Sequence, residues 1–294
     1  MTGLGVELRD LTLRYGATVA LDRVDLTLAP GRIYGLIGRS GSGKSSLLSV
    51  LAAFRRPSSG TVRVDGEDPF EHPRLTRQIC LVGEDSVMIE QERCDRILSL
   101  ARTLRPGWDQ AYAEHLAERF ELPLTKTSGQ LSQGQRSALA CVLGLASRAP
   151  LTMFDESHLG MDAPARYLFY EELLHDYSAH PRTIILTTHL VEEFAPLFEE
   201  VVMLHRGRVL VHEEVDAVRA QGATVTGPKD LVDRFATGRT VLAQRRLGDT
   251  SSVTLYGTLS EAARRGAVAD GLRLEPVPLQ DLFVHLTKGE GTQI

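Results

Sequence analysis

The sequence predicts an α/β protein, and three observations predict it. A glycine-rich loop, GRSGSGKSS (residues 38–46), lies between the apolar run RIYGLI (32–37) and the helix-like stretch SSLLSVLAAF (45–54). Two later strand-like runs, LTMFDE (151–156) and TIILTTH (183–189), each end in an ionisable residue. Between and after them lie stretches of helical length, RSALACVLGLASR (136–148) and APARYLFYEELLHDY (163–177). Strands alternating with helices in this way build a mostly parallel sheet covered on its faces.

The elements follow in order. VELRDLTLRY and ALDRVDLTL alternate apolar and polar residues with period two, as half-buried strands do. The 38–46 loop fits G-x-x-x-x-G-K-[ST] through Gly38, Gly43, Lys44 and Ser45. Backbone N–H groups in such a loop converge on phosphate oxygens, and glycines allow the close approach. The lysine reaches the β and γ phosphates, the Ser45 hydroxyl sits on Mg²⁺, and the helix that starts here adds its positive end. The reading is therefore a nucleoside triphosphate site cradled by Gly38, Arg39, Ser40, Gly41, Ser42, Gly43, Lys44, Ser45 and Ser46. Asp155, closing an apolar strand, places a carboxylate near the metal, and Glu156 is placed to polarise a water. Residues 86–130 read as helical, with ILSLARTL and AYAEHLAERFEL flanking the turn RPGWD. VVMLHRGRVLVH (201–212) reads as strand, turn, strand.

Composition narrows the class. The 294 residues allow one large domain with an appendage, or two domains, and 43% hydrophobic with 24% charged residues is the balance of a globular chain. A net charge of −5 argues against broad binding to nucleic acid or anionic lipid. Cys80, Cys94 and Cys141 are sparse, odd in number and set in apolar segments, so they read as reduced thiols of a cytoplasmic protein. The opening MTGLGVELRDLTLRY is an alternating strand, unlike a signal peptide. The longest apolar stretch, ALACVLGLA (138–146), falls well short of the ~20 residues that cross a bilayer.

Taken in order, these motifs resemble the ATP-binding subunit of an ABC transporter over about residues 6–212. LSQGQ (131–135) is similar to the family signature LSGGQ, with Gln133 in place of a glycine. Tyr15 sits where the family stacks an aromatic ring on adenine, and SHLGMDA (157–163) matches the loop after the acidic strand, with Asp162 as its aspartate. The resemblance implies a P-loop NTPase core with an antiparallel β subdomain and a helical subdomain (about 86–130), within a nucleotide-binding domain of residues 1–212. It implies ATP and Mg²⁺, with Ser45, Asp155 and Glu84 serving the metal. Glu156 is the implied general base, and His189 the implied switch histidine at the γ-phosphate. Ser132, Gln133, Gly134 and Gln135, donated by a second ATP-binding chain, identical or paralogous, close on that phosphate. A separate transmembrane permease is the implied partner, which places the chain on the inner face of the cell membrane. Two departures stand out. Glu84 occupies the position of a family glutamine and still offers Mg²⁺ a hard oxygen ligand. Ser157 stands where the family often has proline, at a turn that suits serine.

Each residue also has a plainer reading. Tyr15 without its spacing is an ordinary tyrosine, Glu156 a surface carboxylate, His189 a polar end of a strand, and Asp162 a cap on the helix that follows it. The other eight histidines, His158 among them, form no ligand spacing and read as structural or surface residues.

Residues 213–294 carry none of these motifs. Strand-like runs (ATVTG, TVLAQRRL, SVTLYG, LRLEPV) alternate with helix-like ones (KDLVDRFATG, LSEAARRGAVADG, LQDLFVHLTKG), which predicts a small α+β accessory domain. Its close, PVPLQDLFVHLTKG, resembles the end of drug- and antibiotic-export subunits. The expected function is ATP hydrolysis that drives a transporter, an exporter by that tail. An importer subunit, a non-transport ATPase of the same family acting on ribosomes or DNA, and a nucleotide-binding regulator that does not hydrolyse are the alternatives.

Overall fold

The computed structural model describes residues 3–83 and 90–288. These fall into two compact units, Met1–Leu190 with Pro196–His212, and Val191–Ala195 with Glu213–Ile294.

The first unit opens with strands β1 (Val6–Tyr15) and β2 (Thr18–Leu28). They join β4 (Ser59–Val64) in an antiparallel sheet of order β2-β1-β4. Val6, Leu8, Leu11 and Leu13 of β1, Leu21, Val24, Leu26 and Leu28 of β2, and Val62 and Val64 of β4 are buried in one core. The period-two pattern is thus one buried face. The core is shared with β3 (Ile33–Gly38) and the helix after it, α1 (Lys44–Leu51).

The second sheet of this unit has six strands in the order β5-β6-β7-β3-β8-β9. Its members are β5 (Ile79–Gly83), β6 (Leu151–Asp155), β7 (Thr183–Thr187), β8 (Glu200–His205) and β9 (Arg208–Glu214) around β3. β5, β6, β7, β3 and β8 pair in parallel. Strands buried on both faces read as unbroken apolar runs, and β3, β6, β7 and β8 are buried almost end to end. α2 (Pro73–Gln78) leads into β5, capped by His72 and begun by proline, whose missing N–H costs nothing there.

α3 (Cys94–Leu104) and α4 (Gln110–Arg119) supply the helical stretch expected before residue 130. α5 (Gln133–Ser147) packs against both, on β5 and β6, and against α6 (Ala163–Ala179). The run ALACVLGLA is buried inside α5, and no helix among the described residues is long and apolar enough to cross a membrane.

The second unit contains α7 (Val191–Phe194), α8 (Val215–Ala220), β10 (Gly222–Pro228), α9 (Lys229–Ala236), β11 (Thr240–Leu247), β12 (Thr250–Tyr256), α10 (Glu261–Ala269), β13 (Arg273–Glu275) and α11 (Leu279–Lys288). Its sheet has the order β11-β12-β10-β13, with antiparallel pairs throughout. The segment from β10 to β13 is therefore a β-α-β-β-α-β split motif. Val225, Val232, Val253, Leu255, Ala267 and Leu272 form its own core.

Candidate functional site

In-register pairing aligns Gly83 with Asp155, Asp155 with Thr187, and Leu36 with Thr187. The ends of β6, β7 and β3 therefore lie side by side. Open parallel sheets bind ligands beyond the carboxyl ends of their strands.

The phosphate loop leaves β3 at Gly38. A side chain at residue 38 would meet Ser42 Oγ at 2.2 Å and the Leu204 carbonyl at 2.8 Å, so only glycine fits. Arg39, Ser40 and Gly41 form the exposed crest, and the Ser42 N–H donates to the Arg39 carbonyl (3.0 Å). Gly43 caps α1 with φ 107°, and a Cβ there would lie 2.6 Å from the Ala20 carbonyl. On the other side the Gly207 N–H, at the turn between β8 and β9, donates to the Ser42 carbonyl (2.9 Å). The loop is thus held between β2 and that turn. Ser42 is buried, and its Oγ has no hydrogen-bond partner among the described residues. An orphan hydroxyl in a glycine cradle suits a phosphate group, so these residues fit ATP.

Lys44 and Ser45 open α1, where the first backbone N–H groups lack helical acceptors. Lys44 Nζ donates to the Gly38 carbonyl (2.8 Å) and lies 3.9 Å from Glu156 Oε1. Ser45 is exposed on the first turn. Tyr15, at the end of β1, reaches the same helix, with its hydroxyl 3.3 Å from Ser46 Oγ. The Arg55 guanidinium lies over its ring, 4.9 Å from the centroid. The sequence singled out Tyr15 but not its cationic neighbour.

Thr187 organises the carboxylates. Its hydroxyl donates to Asp155 Oδ1 (2.7 Å) and accepts from the Glu156 N–H (2.8 Å). Glu156 takes a left-handed backbone, φ 50°, a conformation costly for a residue with a Cβ. Its Oε2 is 3.0 Å from His189 Nδ1 and 3.6 Å from His158 Nε2. Ser157, in the turn after β6, donates its hydroxyl to the Val82 carbonyl (3.1 Å).

His158 is one of the histidines read as structural or surface residues, and its contacts were not foreseen from the sequence. It is buried, its ring lies 5.1 Å from that of His189, and Thr188 Oγ1 is 3.3 Å from its Nε2. Burial, reinforced by the charges of His189 and Arg166, pushes its pKa down to about 4. At neutral pH its contact with Glu156 is a neutral imidazole beside a carboxylate. No linear spacing announces this cluster, because it forms only when the ends of β6 and β7 meet. The hydroxyls of TIILTTH were the available signal for Thr187.

The 131–135 segment sits elsewhere. Ser132 caps α5: its Oγ accepts from the Gln135 N–H (3.3 Å), while Gln135 Oε1 accepts from the Ser132 N–H (3.1 Å). Asp162 caps α6 by accepting from the Ala165 N–H (3.0 Å), as the capping reading expects. Ser132, Gly134, Gln135 and Asp162 line one cleft with Arg119 and Met161, and Gln133 packs against Gly160. Glu84 lies outside the described residues.

Comparison with known proteins agrees with this geometry. The family described as ABC transporter matches residues 21–158. The daunorubicin resistance ATP-binding protein DrrA3 of Streptomyces coeruleorubidus is 30% identical over 296 residues, covering 93% of each chain. The sulfate/thiosulfate import ATP-binding protein CysA of Caulobacter vibrioides is 30% identical over 69% of this chain and 63% of its own length. Among solved structures, an ATP-binding subunit of an ABC transporter superposes with a TM-score of 0.65 at 26% identity, over 74% of this chain and 92% of its own. A glycine-cradled phosphate loop after β3 of a parallel sheet, with paired acids at the end of β6 across the intervening β7, has the expected sequence relatives, and the chain belongs to the ABC transporter family as an ATP-binding, ATP-hydrolysing subunit.

Proposed function

We propose that the chain powers an exporter by pairing head-to-tail with a second ATP-binding chain and hydrolysing ATP with Glu156 as general base. The observation that carries the base is the carboxylate's environment. Oε2 has His189 Nδ1 at 3.0 Å, and Oε1 has Lys44 Nζ at 3.9 Å. A carboxylate between a lysine and an imidazole is held in place to take a proton from water. Lys44 binds the β and γ phosphates, Tyr15 the adenine, and His189 orients water and γ-phosphate.

The oxygen donors Ser45 and Asp155 suit Mg²⁺, with Glu84 as a third, and a bound Mg²⁺ neutralises charge on the phosphates. The cleft of Ser132, Gly134, Gln135 and Asp162 serves the nucleotide of the partner chain. Residues 213–294 are the accessory domain, and the helical subdomain of about residues 86–130 faces a transmembrane permease. Export is favoured because similarity to a drug-resistance protein runs through the tail as well as the core. Similarity to an import protein makes uptake the competing outcome.

Glu156→Gln keeps the shape of the side chain and loses its basicity. Steady-state ATPase assays should show kcat reduced ~10²–10⁴-fold. Nucleotide titration should show ATP still bound, and light scattering an ATP-trapped dimer. Wild-type turnover by this variant removes Glu156 from the role. Vesicles carrying the chain and its permease then distinguish efflux from uptake.

A further inference from the structure

The turn after β6 and the segment after β7 bring two imidazoles and a carboxylate together. Glu156, His158 and His189 each offer one ligand atom, and these atoms lie within 4.8 Å of one another. It is the one such group of three found among the described residues. Other histidine–carboxylate contacts, such as His212 with Glu200 and His180 with Asp176, join in no such group. The nitrogens of His189 and His158 stand 3.0 and 3.6 Å from the same oxygen, Glu156 Oε2. A tetrahedral cation with bonds of about 2.0–2.2 Å sets its ligand atoms about 3.3–3.6 Å apart, so the cluster closes on a metal with small side-chain shifts.

The donor set selects the metal. Two imidazole nitrogens and one carboxylate oxygen suit a borderline transition-metal cation, whereas Mg²⁺ prefers oxygens alone. The two oxygens of Glu156 divide the neighbours: Lys44 lies against Oε1, and the imidazoles face Oε2. A metal at Oε2 therefore leaves the lysine contact in place. The Thr188 hydroxyl would release His158 Nε2 and keep the Leu190 N–H, which it already accepts at 2.9 Å.

We propose that Glu156, His158 and His189 form a binding site for a cation of the Zn²⁺ class, and that its occupation withdraws Glu156 from catalysis. The second half rests on Glu156 acting as the base. Three protein ligands leave a fourth position for water, the arrangement of an open zinc site. With Oε2 on the metal, that oxygen accepts no proton, and hydrolysis stops while the phosphate loop remains free to bind nucleotide.

The test uses the full-length, nucleotide-free chain titrated with Zn²⁺ against a chromogenic chelator, and with Co²⁺ followed by visible absorption. The wild type should bind one equivalent and show the d–d bands of tetrahedral Co²⁺. His158→Ala and His189→Ala should each weaken Zn²⁺ at least about tenfold and lose those bands, as removal of a ligand requires. His212→Ala should bind as the wild type does. Retained affinity and spectrum in His158→Ala, with thermal melts showing a folded protein, overturns the site; should that variant not fold, His158→Gln takes its place. In ATPase assays at constant Mg²⁺ and ATP, micromolar Zn²⁺ should inhibit the wild type and leave the residual activity of His158→Ala unresponsive. Zn²⁺ bound at the cluster without any fall in hydrolysis keeps the metal site and removes Glu156 as the base.

Discussion

The site at the strand ends and the cleft at residues 132–135 are assembled by different means. At the strand ends, ionisable side chains face one another: Lys44, Glu156 and His189 sit within hydrogen-bond or ion-pair reach, and Thr187 holds the Glu156 backbone. At the cleft, the fixed features are the starts of α5 and α6, whose caps, Ser132 and Asp162, already accept from their own helices. Helix starts present partial positive charge without a proton to move. Chemistry needs groups whose charge can change, and binding needs only dipoles that stay put. On the proposed reading the first region serves hydrolysis and the second serves a phosphate of the partner chain.

That contrast breaks first at Ser132. Ser132→Arg should lower ATPase activity about 10²-fold or more, as loss of a preorganised donor does, while a single chain keeps its ATP affinity. Parallel ATPase and nucleotide-binding measurements decide this, and equal loss of both would make the cleft part of the chain's own site. At the strand ends the signs reverse. Lys44→Ala removes a charged hydrogen-bond donor worth about 1.5–3 kcal/mol and should weaken ATP binding roughly 10- to 100-fold in a fluorescent-nucleotide titration. Thr187→Val keeps the side-chain shape and orphans the Glu156 N–H. Denaturant unfolding should show a loss of about 1–3 kcal/mol, and kcat should fall about tenfold with ATP affinity kept.

A further effect is one of acid. His158 has its pKa depressed from 6.5 to about 4 in the folded chain. Between those values the unfolded chain binds more protons, so stability is full above pH 6.5 and is lost on acidification towards 4. The loss amounts to about 3 kcal/mol at most, since a tenfold difference in proton affinity between folded and unfolded chain is worth about 1.4 kcal/mol. His158→Gln should flatten urea midpoints across that window and leave the neutral-pH kcat closer to wild type than Glu156→Gln does.

Much of this was legible in the sequence. The period of two in β1 and β2, the unbroken apolar runs of β3, β6 and β7, and the glycine spacing of the loop each encode local geometry. The six-residue helices α2 and α8 were missed because so short a stretch shows too little periodicity. The tail displayed its strands and helices but not their order: β11 and β12 form a local hairpin, but β10 pairs with β12 and β13, both distant in the chain. His158 escaped for the same reason: its partner His189 is thirty-one positions away, and only the parallel register of β6 and β7 makes them neighbours. Thr187 reads as one more β-branched strand residue until that register sets it between Asp155 and Glu156.

The left-handed backbone at Glu156 carries a lesson for protein engineering. A sequence optimised for thermal tolerance would place glycine or asparagine at residue 156, because either occupies that conformation at lower cost. Such a redesign would arrive at a sturdier protein that has lost its proposed base. Position 156 is one to hold fixed whenever the chain is consensus-designed, shuffled or screened by melting temperature alone.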